Sequence, residues 1–293
     1  MAAPPISAVV PPRARAVAEM VLATLLWGAT FIVTRGALPG VGVAPLLLAR
    51  FGAGAVILAV LLYARGGRLD RATLVPGLLC GPFIALCCVL QTAGLRETSA
   101  GSSAFLTCAG TLAAPFFAWA MLRERPARVV FAGMAIALAG SALLSWQPGF
   151  GLGRAEVLTL LGAMAYALSL VIVARVAPRV DPLALTTAQL IGVTLCLLPF
   201  ASVRAAGALF MASATRGRVA YLTIGGSVIA PLLQVDAQRA LPTGRIALLF
   251  ALEPVFALLF AVLFGGERFL LRWWVGAALI LCAVVITESR SAH

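Results

Sequence analysis

The chain has 293 residues, of which 62% are hydrophobic and 11% charged, and its mean hydropathy is +1.06. A soluble domain is about 45–50% apolar and about 25% charged, so the composition excludes one and describes a polytopic membrane protein. The net charge of +12 comes from 22 basic residues, all Arg. They sit mainly in short gaps between apolar runs, where they orient helices and meet lipid headgroups rather than nucleic acid.

Residues 1–17 are Pro- and Ala-rich with Arg13 and Arg15, and read as a mobile cytoplasmic tail. Ten transmembrane helices are expected at 18–37, 45–64, 73–94, 101–121, 129–147, 156–176, 183–202, 219–239, 245–264 and 272–289, each near the roughly 20 residues that span a bilayer. The first is too long for a signal peptide and nine more follow it. The longest gap, 203–218, carries Arg204, Arg216 and Arg218 and suits a short interfacial helix.

The chain echoes itself. Under a shift of 143, Gln91, Arg96, Gly101, Glu124, Arg125 and Gly133 fall on Gln234, Arg239, Gly244, Glu267, Arg268 and Gly276, with further Ala, Leu and Phe matches between. The chain therefore divides into a first five-helix repeat, 18–147, and a second, 148–293. An odd number of crossings inserts the second repeat upside down, which makes a 5+5 inverted-topology repeat, a frequent mark of secondary transporters. With the N-terminus inside, the first half puts Arg13, Arg15, Arg65, Arg68, Arg71, Arg123, Arg125 and Arg128 in the cytoplasm against Arg35, Arg96 and Arg154 outside. The second half is evenly divided, so the first sets the orientation, with both termini cytoplasmic.

Several polar and aromatic residues fall where a membrane helix should be apolar. Glu253, mid-span and followed by Pro254, is too deep for its short side chain to reach headgroups. At about 2.5–3.5 kcal/mol or more for an acid at a helix centre, it must be hydrated, hydrogen-bonded within protein or protonated. Pro254 has no N–H for the Phe250 carbonyl and marks a hinge. Together they predict a cavity at membrane depth. Asp236, with Gln234 and Gln238, lies toward the inner end of its helix, either in a transport path or paired with Arg239 or Arg245. Arg50 either snorkels outward, locks topology, or binds a substrate carboxylate. Trp27 and Tyr166 correspond under a shift of 139 and sit mid-span, as core packing or as a stacking surface. Gly28, Thr30 and Ser169 lie beside them, and Gln91 and Thr107 are further cavity candidates. The same shift puts Arg50 on Gln189. The Gly101/Ala104/Cys108 and Gly133/Gly140 spacings suit close helix packing. Six Cys lie within apolar spans and the single His is terminal His293, which predicts no metal, cofactor or disulfide. No nucleotide-binding loop or catalytic triad is present in the sequence.

L-L-W-G-A-T-F-I at 25–32, T-S-A-G-S-S-A-F-L at 98–106 and the E-P-V-F-A-L-L-F-A-V-L-F-G-G-E-R run at 253–268, then Gly276, resemble the drug/metabolite transporter superfamily in its EamA-type branch of ten-helix bacterial exporters. The resemblance covers the chain past residue 17. It departs from equivalence between the halves at Gly110-Thr111 against Glu253-Pro254. The likeness implies a central cavity lined by helices 1–4 and 6–9, with helices 5 and 10 peripheral, and alternating access. The expected function is secondary export of small metabolites, foremost amino acids, across the bacterial inner membrane. The expected partners are a small-molecule substrate and membrane lipids, with the protein monomeric. Alternatives are a multidrug or nucleotide-precursor exporter, or an intramembrane enzyme or scaffold.

Overall fold

A computed structural model describes residues 10–123, 125–145, 153–265 and 270–290. Glu124, Glu267 and Arg268 of the internal echo, and His293, lie outside the described residues. The first half comprises α1 (Arg13–Ala37), α2 (Val43–Ala64), α3 (Arg71–Gly94), α4 (Ala100–Thr111), α5 (Ala114–Leu122) and α6 (Arg128–Ser145). The second comprises α7 (Arg154–Val176), α8 (Pro182–Leu197), α9 (Val203–Met211), α10 (Arg216–Tyr221), a π-helical segment Leu222–Ile229, α11 (Ala230–Ala237), α12 (Thr243–Phe250), α13 (Glu253–Gly265) and α14 (Leu271–Arg290). Among the described residues, with broken helices counted as one span, nine are long and apolar enough to cross a membrane, and Arg128–Leu144 is a shorter apolar tenth. The protein is an all-α membrane protein of ten spans arranged five and five.

The halves pack by exchange. α3 lies against α7 and α8 of the second half, and its counterpart, α10 through α11, lies against α1 and α2 of the first. α4 and α5 pack on α7 as α12 and α13 pack on α1. α2 with α8 and α6 with α14 pair equivalent elements directly, and α4 with α13 joins the two equivalent broken spans. α6 and α14 meet at a backbone crossing: a Cβ at either Gly140 or Gly276 would stand 2.6 Å from the other's carbonyl oxygen. Gly133 packs as tightly, its Cβ position 2.5 Å from Thr287 Oγ1, whereas a Cβ at Gly101 would meet nothing within 4 Å. Close packing therefore explains the Gly133/Gly140 spacing and not Gly101.

α1 starts inside the stretch read as a tail. Its first turn is held by Arg13 Nη2 to Glu288 Oε2 at 2.8 Å, and by Arg15 to both Glu19 at 2.7 Å and Asp236 at 3.1 Å. At the other end of the gap at 203–218, α9 caps itself with Ser202 and lies against α2.

Proline breaks the two equivalent spans. α4 ends before Pro115 and α12 before Pro254, because neither proline returns an N–H to the carbonyl four residues back, on Thr111 and Phe250. The chain tightens at both places into i−3 bonds, Ala113 N to Gly110 O at 3.0 Å and Leu252 N to Leu249 O at 3.1 Å. Under the 143 shift Pro254 falls on Thr111, so the two breaks are offset by about one helical turn. A third proline shapes the π segment. There the bonding runs from Ala230 N to Gly225 O, five residues back. The next donor in that pattern belongs to Pro231 and is missing, which frees the Gly226 carbonyl.

Candidate substrate site at the interface of the halves

The freed Gly226 carbonyl accepts from Trp27 Nε1 at 2.9 Å. This bond fixes the Trp27 ring, which stacks on Phe250 with centroids 5.2 Å apart and planes at 12°. Tyr166 closes the group edge-on, 6.3 Å from Trp27 and 5.8 Å from Phe250. The Tyr166 hydroxyl donates to Gln234 Oε1 at 3.1 Å. Gln234 Nε2 in turn donates to Gln238 Oε1, and Gln238 Nε2 to the Leu170 carbonyl at 2.9 Å. That relay ties α11 back to α7 and satisfies both amides.

These rings form one wall of a cavity of about 80 Å³. Of the residues singled out in the sequence, Trp27, Thr30, Arg50, Gln91, Thr107, Tyr166, Ser169, Gln234 and Glu253 line it. Most of the lining falls into equivalent pairs: Trp27 with Tyr166, Thr30 with Ser169, Arg50 with Gln189 and Phe51 with Leu190 under the 139 shift, and Cys88 with Pro231, Gln91 with Gln234 and Thr107 with Phe250 under the 143 shift. Even local bonding repeats. Thr30 Oγ1 donates to the Trp27 carbonyl at 2.7 Å, and Ser169 Oγ to the Tyr166 carbonyl at 2.7 Å. A cavity lined by matched residues from inverted halves lies on the axis that relates them.

The chemistry, unlike the frame, is asymmetric. Arg50 is 8% exposed, and its hydrogen bond among the described residues is Nε to Ser227 Oγ at 2.8 Å. Its guanidinium also lies 4.8 Å from the Phe51 ring centroid, and it has no ion pair among the described residues. Glu253 is 5% exposed, and its Oε2 is buried without a hydrogen-bond partner among the described residues. Breaking a buried ion pair costs about 3–5 kcal/mol because it strands a charge. The cavity thus holds a guanidinium and a carboxyl, each open to a partner. Gln91 is already engaged, donating to Thr107 Oγ1 at 2.8 Å.

Two candidates sit elsewhere. Gly28 is a packing contact: a Cβ there would be 2.6 Å from that of Phe256, so its smallness seats α13 on α1. Asp236 does not line the cavity; it bonds Arg239 at 2.8 Å and Arg15 at 3.1 Å. Pro254 stands one residue beyond the start of α13, at the break. Phe51, Gln189, Leu190, Gly226, Pro231 and Phe250 line the cavity without having been singled out for it. For all but Gly226, the available signal was their equivalence to another lining residue, Pro231 falling on Cys88 under the 143 shift.

Residues 15–146 and 153–288 each match the EamA-like transporter family. The chain belongs to that family. The double match follows the two halves of the fold. An uncharacterized transporter of Archaeoglobus fulgidus is 26% identical over 272 residues, covering 92% of this chain and 85% of its own. A solved crystal structure is similar in fold, with a TM-score of 0.75 and 21% identity over 93% of this chain and 98% of its own. This EamA-like protein is accordingly a multi-pass secondary transporter of small molecules.

Proposed function

We propose that the protein exports neutral amino acids from the bacterial cytoplasm across the inner membrane, by alternating access through the cavity between its halves. The observation that carries this reading is the set of equivalent residue pairs around one cavity. Only a site on the axis is reachable in turn from either side when two inverted repeats exchange conformations. Its size favours a small solute: about 80 Å³ is far below the roughly 300–1,000 Å³ of a drug-sized pocket, which speaks against multidrug export. Arg50 offers a guanidinium fork shaped for a carboxylate, and the aromatic wall tolerates an apolar side chain. The Arg excess on the face where α1 begins supports cytoplasmic termini. Glu253 has no second acid among the lining residues, so the reading favours facilitated export over proton antiport. The protein acts as a monomer, since each chain holds both halves of the site.

The test is efflux of labelled alanine, serine, phenylalanine and an aromatic drug cation from proteoliposomes, with and without a proton gradient. The reading expects amino-acid flux that survives collapse of the gradient. Flux of the cation alone would replace it with a multidrug exporter.

A further inference from the structure

A guanidinium and a carboxyl line one cavity without pairing with each other. Arg50 comes from α2 and Glu253 from the start of α13, so they approach from elements of different halves. Both are more than nine-tenths buried. Neither forms an ion pair with the other or with any other described residue. Arg50 spends only Nε, on Ser227, leaving the flat edge of its fork uncommitted. Glu253 Oε2 is buried and unpartnered. The equivalents of these residues are Gln189 and Gly110, so the pair is an addition to the symmetric frame and not a consequence of it.

We infer that Arg50 and Glu253 together read the two ends of a zwitterion, Arg50 taking the carboxylate and Glu253 the ammonium of an α-amino acid. This rests on the proposed export of amino acids and adds a specificity rule to it: a free carboxylate and a free ammonium are both required. The physical reason is mutual. A monoanion would satisfy Arg50 but leave the Glu253 carboxyl unpartnered, and an amine would do the reverse. A site built around hydrogen-bonding groups rejects an analogue that lacks their partner far more strongly than an apolar site rejects a change of shape. Ser227 holds Arg50 by one nitrogen. The break before Pro254 places Glu253 at the first position of α13, where its side chain is not absorbed by a helical neighbour.

The experiment is competition against labelled L-alanine bound to the purified full-length protein in lipid nanodiscs. The competitors are unlabelled L-alanine, propionate, which lacks the ammonium, and L-alaninamide, which lacks the carboxylate. In the wild type, both analogues should compete on the order of thirtyfold or more worse than alanine, the effect of stranding one buried charge. Glu253→Gln should weaken alanine about tenfold or more and bring propionate close to alanine, leaving alaninamide poor. Arg50→Gln should do the converse. Propionate equal to alanine in the wild type would overturn the inference and leave amino-acid export standing. A wild type that binds no alanine would overturn both. The wild-type panel decides the matter even if a variant fails to fold.

Discussion

Trp27 and Tyr166 meet edge to face with ring centroids 6.3 Å apart, at equivalent positions of the two halves. They are held by unlike partners, Trp27 by the Gly226 carbonyl and Tyr166 by the Gln234 amide. Trp27→Phe keeps a ring on Phe250 but removes the Nε1 donor, stranding the buried Gly226 carbonyl. The expected loss is about 1–3 kcal/mol, measurable as a lowered thermal midpoint in detergent. Tyr166→Phe should cost about 1 kcal/mol, because Gln234 keeps its bond to Gln238. Equal effects of the two substitutions would contradict this difference in anchoring.

Pro231 withholds the N–H that would otherwise compete for Gly226. Pro231→Ala supplies it, so the segment can regularise and release Trp27. Transport of the labelled substrate should fall several-fold with expression unchanged. Unaltered transport would mean that the π segment does not set the Trp27 ring.

Asp236 bridges Arg15 at the start of α1 to Arg239, and its equivalent in the first half is Ala93. The tie therefore exists on one face of the protein. The Arg239 and Asp236 side chains are only 7% and 15% exposed, so Asp236→Asn, which leaves the Arg239 charge without its carboxylate, should lower stability by about 1–3 kcal/mol. It should also leave the transport KM within about twofold, since the carboxylate does not touch the cavity. A KM raised tenfold would place Asp236 in the substrate path.

Asp70 caps α3, accepting from Thr73 Oγ1 at 2.5 Å and from Thr73 N at 2.9 Å. These bonds, side chain first, hold its carboxyl below the usual carboxylate range. A depressed folded pKa contributes stability above the unfolded value, about 3.9, and loses it as pH falls through the folded value. Asp70→Ala should cost about 1 kcal/mol near neutral pH. The gap to wild type should close below about pH 4, which thermal melts at pH 7 and below pH 4 would read.

The ten spans, their duplication and most of the cavity were legible because the bilayer makes depth readable. Trp27, Arg50, Tyr166 and Glu253 stood out as residues that lipid would not tolerate or would not place mid-span. Phe250 and Leu190 did not, since an apolar residue in an apolar helix carries no such signal; they are visible only as equivalents of Thr107 and Phe51. Gly28 misled because smallness serves packing as well as it serves a cavity, and the distinction needs Phe256 in place. Asp236 takes the pairing with Arg239 that its position offered, while its second partner, Arg15, is 221 residues away and was not legible. Pro115 and Pro231 were present in the sequence, but a break or a π turn follows only once the accepting carbonyls are known to be otherwise engaged or free.

The central claim is that substrate crosses through the cavity on the axis between the halves. Counterflow of labelled L-alanine into alanine-loaded proteoliposomes tests it most directly, with wild type, Arg50→Gln at the cavity and Asp236→Asn away from it. The account predicts accumulation by wild type and Asp236→Asn, and loss of at least about nine-tenths of it in Arg50→Gln. Equal accumulation in all three, or loss in Asp236→Asn with Arg50→Gln intact, would contradict it.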